Sequence, residues 1–188
     1  MLAPYRIWEH AVSEDACDHI VEHGLSQTLD AAEIIRGEEQ LDLSIRRSSI
    51  AWIHEPWIKE MLFSLGHSIN REAFGFDLYS GLGTFDVQFT QYAHSSGDKY
   101  DWHVDTAFAQ QKPSDRKLSL IVQLSDPTEY SGGHLQFNMT GENRAERFAD
   151  LPRGTLIAFP SFFLHCITPI TSGTRHSLVS WLEGPLWR

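Results

Sequence analysis

The sequence predicts a mainly β (α+β) fold: a double-stranded β-helix, or jelly roll, backed by N-terminal helices. Three observations predict it. Apolar residues recur at helical spacing only in the first part of the chain, up to about residue 75. From about Gly83 the pattern switches to period two. Turn-forming clusters then separate many short segments, which is the pattern of a double-sheet roll.

Taken in order, the first helix is expected after Ser13, a good N-cap, with Glu14 and Asp15 in the first turn where the helix dipole favours anions. Ala16, Ile20 and Val21 form its apolar stripe, and Gly24 is the expected stop. A second helix is expected from Pro56 to about Phe74, with Ile58, Met61, Leu62, Leu65 and Ile69 on one face. In TFDVQFTQY, Phe85, Val87 and Phe89 share one strand face, while Gln88, Thr90 and Tyr92 share the other. RKLSLIVQL alternates Leu118, Leu120, Val122 and Leu124. Further strands are expected at His134–Asn138, Thr155–Phe159, His165–Thr168 and Arg175–Leu182. Residues 1–75 then form a supporting layer, 83–182 the jelly-roll core, and 1–188 a single domain. If the Phe85 face packs on the helices, the Gln88 face lines the interior, and a polar barrel interior signals a ligand cavity.

The 188-residue chain is 41% hydrophobic and holds six Trp, which excludes a disordered polypeptide. Fifteen Lys and Arg against 25 Asp and Glu leave a net charge of −10, which argues against a nucleic-acid partner gripped through phosphates. No apolar run approaches a membrane span. The N-terminus lacks the basic start and apolar block of a secretory signal, so a cytoplasmic location is the default expectation. Cys17 and Cys166 have no metal-ligand spacing and read as free thiols. Neither the oligomeric state nor a partner chain is legible.

His103-Val104-Asp105 is the sole His-x-Asp of the chain, and alone it is close to what chance supplies. On a strand, residues i and i+2 point the same way, so both side chains can reach one ion. His165, after the apolar run GTLIAFPSFFLH, is the best third ligand. Two imidazoles and a carboxylate with open positions fit non-haem iron(II); they also fit a hydrolytic zinc. Arg175 decides between them. It lies ten residues after His165, and period two places it with Ser177, Val179 and Trp181 on one face. A fixed guanidinium there grips a carboxylate in bidentate fashion, with Ser177 adding a hydrogen bond. A hydrolase has no need of this; an oxygenase that consumes a dicarboxylic keto-acid does.

The segments QYAHSSGDKYDWHVD, RKLSLIVQLSDPTEYSGGHL and GTLIAFPSFFLHCITPITSGTRHSLVSW together resemble the prolyl-hydroxylase branch of the iron(II)- and 2-oxoglutarate-dependent dioxygenases. The likeness covers about residues 83 to 182. It implies that His103, Asp105 and His165 ligate Fe(II), and that Arg175 and Ser177 hold the distal carboxylate of 2-oxoglutarate. Tyr92 matches a tyrosine that hydrogen-bonds this cosubstrate. Tyr100 and Trp181 match aromatic positions near the substrate. The cosubstrate set is Fe(II), 2-oxoglutarate and O2, with ascorbate as an optional reductant. The implied substrate is a prolyl residue in a peptide or protein.

Each residue also has a plainer reading: Arg175 as a surface strand residue, Tyr92 and Trp181 as core. His134 reads as an ordinary strand residue, His94 and His176 as solvated, and Arg46-Arg47-Ser48-Ser49 as bordering the cavity mouth or, preferably, as basic surface. The alternative functions are hydroxylation of a free amino acid or other small molecule, and a non-catalytic jelly-roll metal-binding module. A zinc hydrolase lacks a placed general-base Glu. Demethylases of nucleic acids in the same superfamily carry a second arginine six residues after the first, where this chain has Trp181.

Overall fold

The computed structural model describes residues 4–32, 34–36, 38–40, 42–106, 113–138, 146–148 and 151–187. In chain order the elements are β1 (Arg6–Trp8), α1 (Glu14–Ser26), β2 (Asp30–Ala31), β3 (Ile34–Arg36), β4 (Glu38–Gln40), β5 (Arg46–Arg47), β6 (Ser49–Trp52), α2 (Pro56–Ile69), β7 (Val87–Ala93) and β8 (Lys99–His103). They continue with β9 (Asp115–Gln123), β10 (Tyr130–Gly132), β11 (Leu135–Phe137), β12 (Glu146–Phe148), β13 (Leu156–Pro160), β14 (His165–Ile167) and β15 (Ile170–Gly184).

One sheet of eight strands runs β1-β13-β9-β15-β7-β6-β2, with β10 paired to β15 beside this path. A five-stranded sheet runs β12-β11-β14-β8-β5, and β3 and β4 form a separate hairpin. The pairings are antiparallel. The expected jelly roll is therefore the observed one. Its strand β15 is longer than the predicted Arg175–Leu182 and spans both β7 and β9.

Period two sorts the large sheet into two faces, and each face has its own core. Phe85, Val87, Phe89, Leu118, Leu120, Val122, Leu124, Leu178 and Leu182 point outward and pack with Ile20, Ile58, Leu62 and Ile69 of the helices. Burial of each such side chain stabilises the fold by about 1.5–3 kcal/mol. The opposite face meets the smaller sheet, where Tyr92, Ile121, Phe159, Phe137 and Ile167 form a second cluster. The helices thus brace the sheet from behind, and the space between the sheets is left for the site.

The helices differ from expectation at their ends. Ser13 caps α1 as predicted, its Oγ accepting from the Ala16 N–H at 3.3 Å. Gly24 does not stop α1, which continues to Ser26. Its role is close approach: a Cβ there would lie 2.5 Å from the Phe89 ring. Gly66 in α2 does the same against the Leu182 side chain. The second helix is α-helical only to Ile69; residues Asn70–Phe74 form a π turn, which Gly75 ends at φ 68°. Asn70 fixes this exit by exchanging two hydrogen bonds of 2.9 Å with the Phe76 backbone. Among the described residues no helix is long and apolar enough to cross a membrane. Cys17 and Cys166 are free, as expected.

Candidate active site

A cavity of about 400 Å³ opens between the two sheets. All eight singled-out side chains line it: Tyr92, Tyr100, His103, Asp105, His165, Arg175, Ser177 and Trp181. Its walls come from seven strands, β5 to β9 with β14 and β15, drawn from across the sequence, so register is what assembles it.

In the smaller sheet, β14 pairs with β8 so that His165 sits opposite His103. Their rings are 4.1 Å apart. Asp105 lies beyond the end of β8, so the expectation that one strand face carries both His103 and Asp105 is corrected. A bend holds the aspartate instead. The Asp105 and Thr106 N–H groups both donate to the Ser161 carbonyl, at 2.8 and 3.1 Å. The Asp105 carboxylate then reaches both imidazoles, 3.6 Å from each Nε2. The three ligand atoms lie within 4.8 Å of one another.

The surroundings fit this set to a cation. Nδ1–H of His103 donates to the Asp101 carbonyl and Nδ1–H of His165 to that of Phe163, each at 2.8 Å. Both rings are thereby fixed in the tautomer that leaves the Nε2 lone pair free, which is how proteins prepare histidine for a metal. Ser119 Oγ donates to Asp105 Oδ2 at 2.6 Å and shares a second hydrogen bond with Ser161 Oγ at 2.9 Å. Burial, with His165 adding to it, pushes the His103 imidazolium down to about 3, so this ring is neutral at physiological pH. Burial opposes the charge on Asp105, but the two imidazoles, Arg116 and the Ser119 hydroxyl outweigh it and hold the carboxyl below its usual range. A neutral imidazole at His103 and an ionised carboxylate at Asp105 are forms a metal binds.

The large sheet supplies the other half. Arg175 is directly opposite Tyr92, and Ser177 opposite Thr90, in the pairing of β15 with β7. Arg175 is only 3% exposed, yet it forms no ion pair with a described residue. Its Nε donates to Gln123 Oε1 at 3.0 Å. Gln123 in turn donates to the Ser125 carbonyl and the Tyr130 hydroxyl, both at 2.9 Å. A buried guanidinium held by one nitrogen, with no carboxylate beside it, suits an anionic ligand. Burial raises the Tyr92 phenol despite Arg46 and Arg175, so it remains a neutral hydrogen-bond donor.

Tyr100 stacks on His103 at 3.5 Å between ring centroids, and burial lifts its phenol to about 12. Trp181 carries the Arg116 guanidinium 3.8 Å above its ring and lies 6.5 Å from Trp52. Both are wall residues of the cavity.

Two expectations fail. Arg46 is not basic surface: it is 8% exposed and lines the cavity, because β5 pairs with β8 and brings Arg46 opposite Tyr100. His176 is not solvated: it stacks on Phe89 at 5.4 Å, and its Nε2 is buried without a hydrogen-bond partner among the described residues. His94 is exposed, as expected, with its Nδ1 3.4 Å from the Ile170 carbonyl. Sequence reasoning also missed Ser119, Gln123 and Ser161. For Ser119 and Gln123 a signal existed, since they share strand parity with Ile121, opposite the leucine face. Nothing local gave Ser161 its role, and the basic stretch at Arg46 was compatible with the cavity mouth but read more readily as surface.

The roll, the converging His103, Asp105 and His165 and the buried Arg175 define a non-haem oxygenase architecture. Residues 87–183 match the model of the 2OG-Fe(II) oxygenase superfamily, and the chain belongs to that superfamily. A PKHD-type hydroxylase of Synechococcus sp. (strain CC9605) is 42% identical over 89 residues, 47% of this chain and 38% of that protein. The PKHD-type hydroxylase YbiX of Shigella boydii is 37% identical over 94 residues, 48% of this chain and 40% of that protein. The match thus spans about two fifths of the length of these curated relatives. Among solved structures, a prolyl-4-hydroxylase of Pseudomonas putida superposes with a TM-score of 0.73 at 19% identity, covering 97% of this chain and 94% of that one. A prolyl hydroxylase of Trichoplax adhaerens, in complex with a hypoxia inducible factor peptide fragment, gives 0.73 at 17% identity, covering 95% and 83%. The viral collagen prolyl hydroxylase of Paramecium Bursaria Chlorella virus-1 gives 0.72 at 18%, covering 97% of both. These three share the fold.

Proposed function

We propose that the chain is an iron(II)- and 2-oxoglutarate-dependent dioxygenase that hydroxylates a prolyl residue in a peptide or protein. The observation that carries this reading is the union, in one cavity, of a His-Asp-His donor set and a buried arginine without an acidic partner among the described residues. The names of the sequence relatives support a hydroxylase, and those of the structural neighbours favour a prolyl target.

When bound, iron(II), 2-oxoglutarate and O2 together supply the oxidation: the keto-acid becomes succinate and CO2, and a substrate C–H bond becomes C–OH. His103, Asp105 and His165 hold the metal. Ser119 and the carbonyls of Asp101 and Phe163 keep those three in place. Arg175, fixed by Gln123, grips the distal carboxylate of 2-oxoglutarate, with Ser177 and Tyr92 as further donors. Ile121, Ile167 and Val179 line the same cavity and keep water from the cosubstrate. Tyr100 and Trp181 contact the substrate. Residues 1–75 brace this unit and 83–182 form it, the whole acting as one domain.

The test is succinate release from 2-oxoglutarate with iron(II) and ascorbate, together with a +16 Da product from a prolyl-peptide pool. Activity lost in His103→Ala supports the reading. Absence of succinate with peptides, free amino acids and other small molecules alike would leave the non-catalytic metal-binding module in its place.

A further inference from the structure

Arg175 is not the only buried guanidinium in the cavity. Arg46 is 92% buried in the opposite wall, since its exposure is 8%. Two of its nitrogens are placed by neutral groups: Nε donates to Ser48 Oγ at 3.1 Å and Nη2 to Gln88 Oε1 at 2.8 Å. Its Cζ lies over Tyr100, 4.6 Å from the ring centroid, and that ring also stacks on His103. Asp105, Asp115 and Glu183 line the same cavity, yet none is within ion-pair distance of Arg46. Asp115 already accepts from the Trp187 N–H and Glu183 from Ser114.

A buried charge ordinarily has a counter-charge, because desolvating it unpaired is costly. Arg46 has neutral anchors, an aromatic face and an Nη1 left open among the described residues. That is a guanidinium fixed in direction and waiting for an anion. Arg175 serves the cosubstrate in the reading above, and Arg46 reaches the cavity from the other sheet, one aromatic ring away from His103.

We propose that the substrate carries a carboxylate next to the hydroxylated prolyl ring, and that Arg46 receives it. The inference rests on the dioxygenase reading and narrows its substrate class. Two sources share this chemistry: the α-carboxylate of a terminal or free proline, and an Asp or Glu side chain beside the proline in a peptide. Arg46 is a specificity residue: it sets which prolyl compound is held, and it does not touch the cosubstrate.

The experiment reads binding, so that it stands apart from turnover. Tryptophan fluorescence of the full chain, with Trp52 and Trp181 in the cavity wall, is titrated at saturating manganese(II) and 2-oxoglutarate. One matched pair is N-acetylproline and N-acetylprolinamide; the other is capped Gly-Pro-Asp and Gly-Pro-Asn. In at least one pair the carboxylate form binds about tenfold tighter, the factor expected when a charged pair replaces a neutral hydrogen bond. The pair that discriminates identifies the source. Arg46→Met reduces the ratio to about twofold or less, and Arg46→Lys, which keeps the charge, retains part of it. The apparent Kd of 2-oxoglutarate stays the same in both variants. Equal binding within both pairs, no saturable binding of any member, or a preference that survives Arg46→Met would each overturn the inference. Failure of succinate release would instead count against the dioxygenase reading and leave these binding ratios to stand or fall alone.

Discussion

His103 and His165 are register partners. They face each other across β8 and β14, 62 positions apart in sequence, with their rings 4.1 Å apart. The donor set therefore depends on strand pairing more than on the His-x-Asp motif. Asp105 joins it from a bend that the Ser161 carbonyl holds in place.

Replacing either register partner by alanine should abolish metal binding at micromolar manganese(II) while leaving the fold intact. Far-UV circular dichroism checks the fold, and a metal-binding isotherm checks the loss. Unchanged affinity in His165→Ala would remove it from the ligand set.

Ser119 is the next link. Its hydroxyl is the direct support of Asp105, at 2.6 Å. Ser119→Ala should weaken metal affinity by roughly 10- to 100-fold, as loss of such supporting hydrogen bonds does in other metal sites. The melting temperature of the metal-free protein should move little. A large melting shift with unchanged metal affinity would assign Ser119 to packing.

Gln123 governs how Arg175 presents itself. Gln123→Leu removes the oxygen that accepts from Arg175 Nε and should raise the KM for 2-oxoglutarate by roughly tenfold, the cost of one charge-assisted hydrogen bond's worth of positioning. Arg175→Ala should raise it further. The kcat at saturating 2-oxoglutarate should change less than KM in Gln123→Leu; an effect on kcat alone would contradict a positioning role.

His176 should give the stability a pH dependence. Burial lowers its folded-state pKa below the ordinary value of a histidine near 6.5, so the folded protein holds the ring neutral. The unfolded chain takes up the proton first on acidification. Its contribution is therefore fully present above about pH 6.5 and is lost as pH falls from there toward the depressed folded value. His176→Phe keeps the stack on Phe89 and should flatten that part of the curve. Urea melts of both proteins between pH 7 and 5 provide the comparison, and parallel curves would sink the assignment.

Gly24 and Gly66 test the packing of the helices on the sheet. Gly24→Ala should destabilise by about 1–3 kcal/mol, the usual cost of overpacking, because its new methyl would meet the Phe89 ring. Phe89→Leu should recover part of that loss in the double variant. Additive losses would show that the two positions are uncoupled.

The sequence by itself determined the faces. Period two is a local property of strands, so Phe85, Val87 and Phe89 could be assigned to the helix side and Tyr92 to the cavity. The same rule placed Arg175, Ser177, Val179 and Trp181 together, and all four line the cavity. Capping chemistry placed Ser13 at the start of α1 for an equally local reason. Tertiary structure decided what those faces meet. Gly24 read as a helix stop because a glycine's freedom is visible in sequence, whereas the Phe89 ring that requires its missing side chain comes from a strand 65 positions later. His176 was read as solvated, and Arg46 more readily as surface than as cavity mouth, because polarity is local and burial is not. Arg46 became a cavity residue only when β5 paired with β8, and Gln123 an anchor only when β9 lay beside β15. Strand parity is written in each residue's immediate neighbours; the register between distant strands is set by packing of the whole roll, and it is register that turns scattered polar residues into one site.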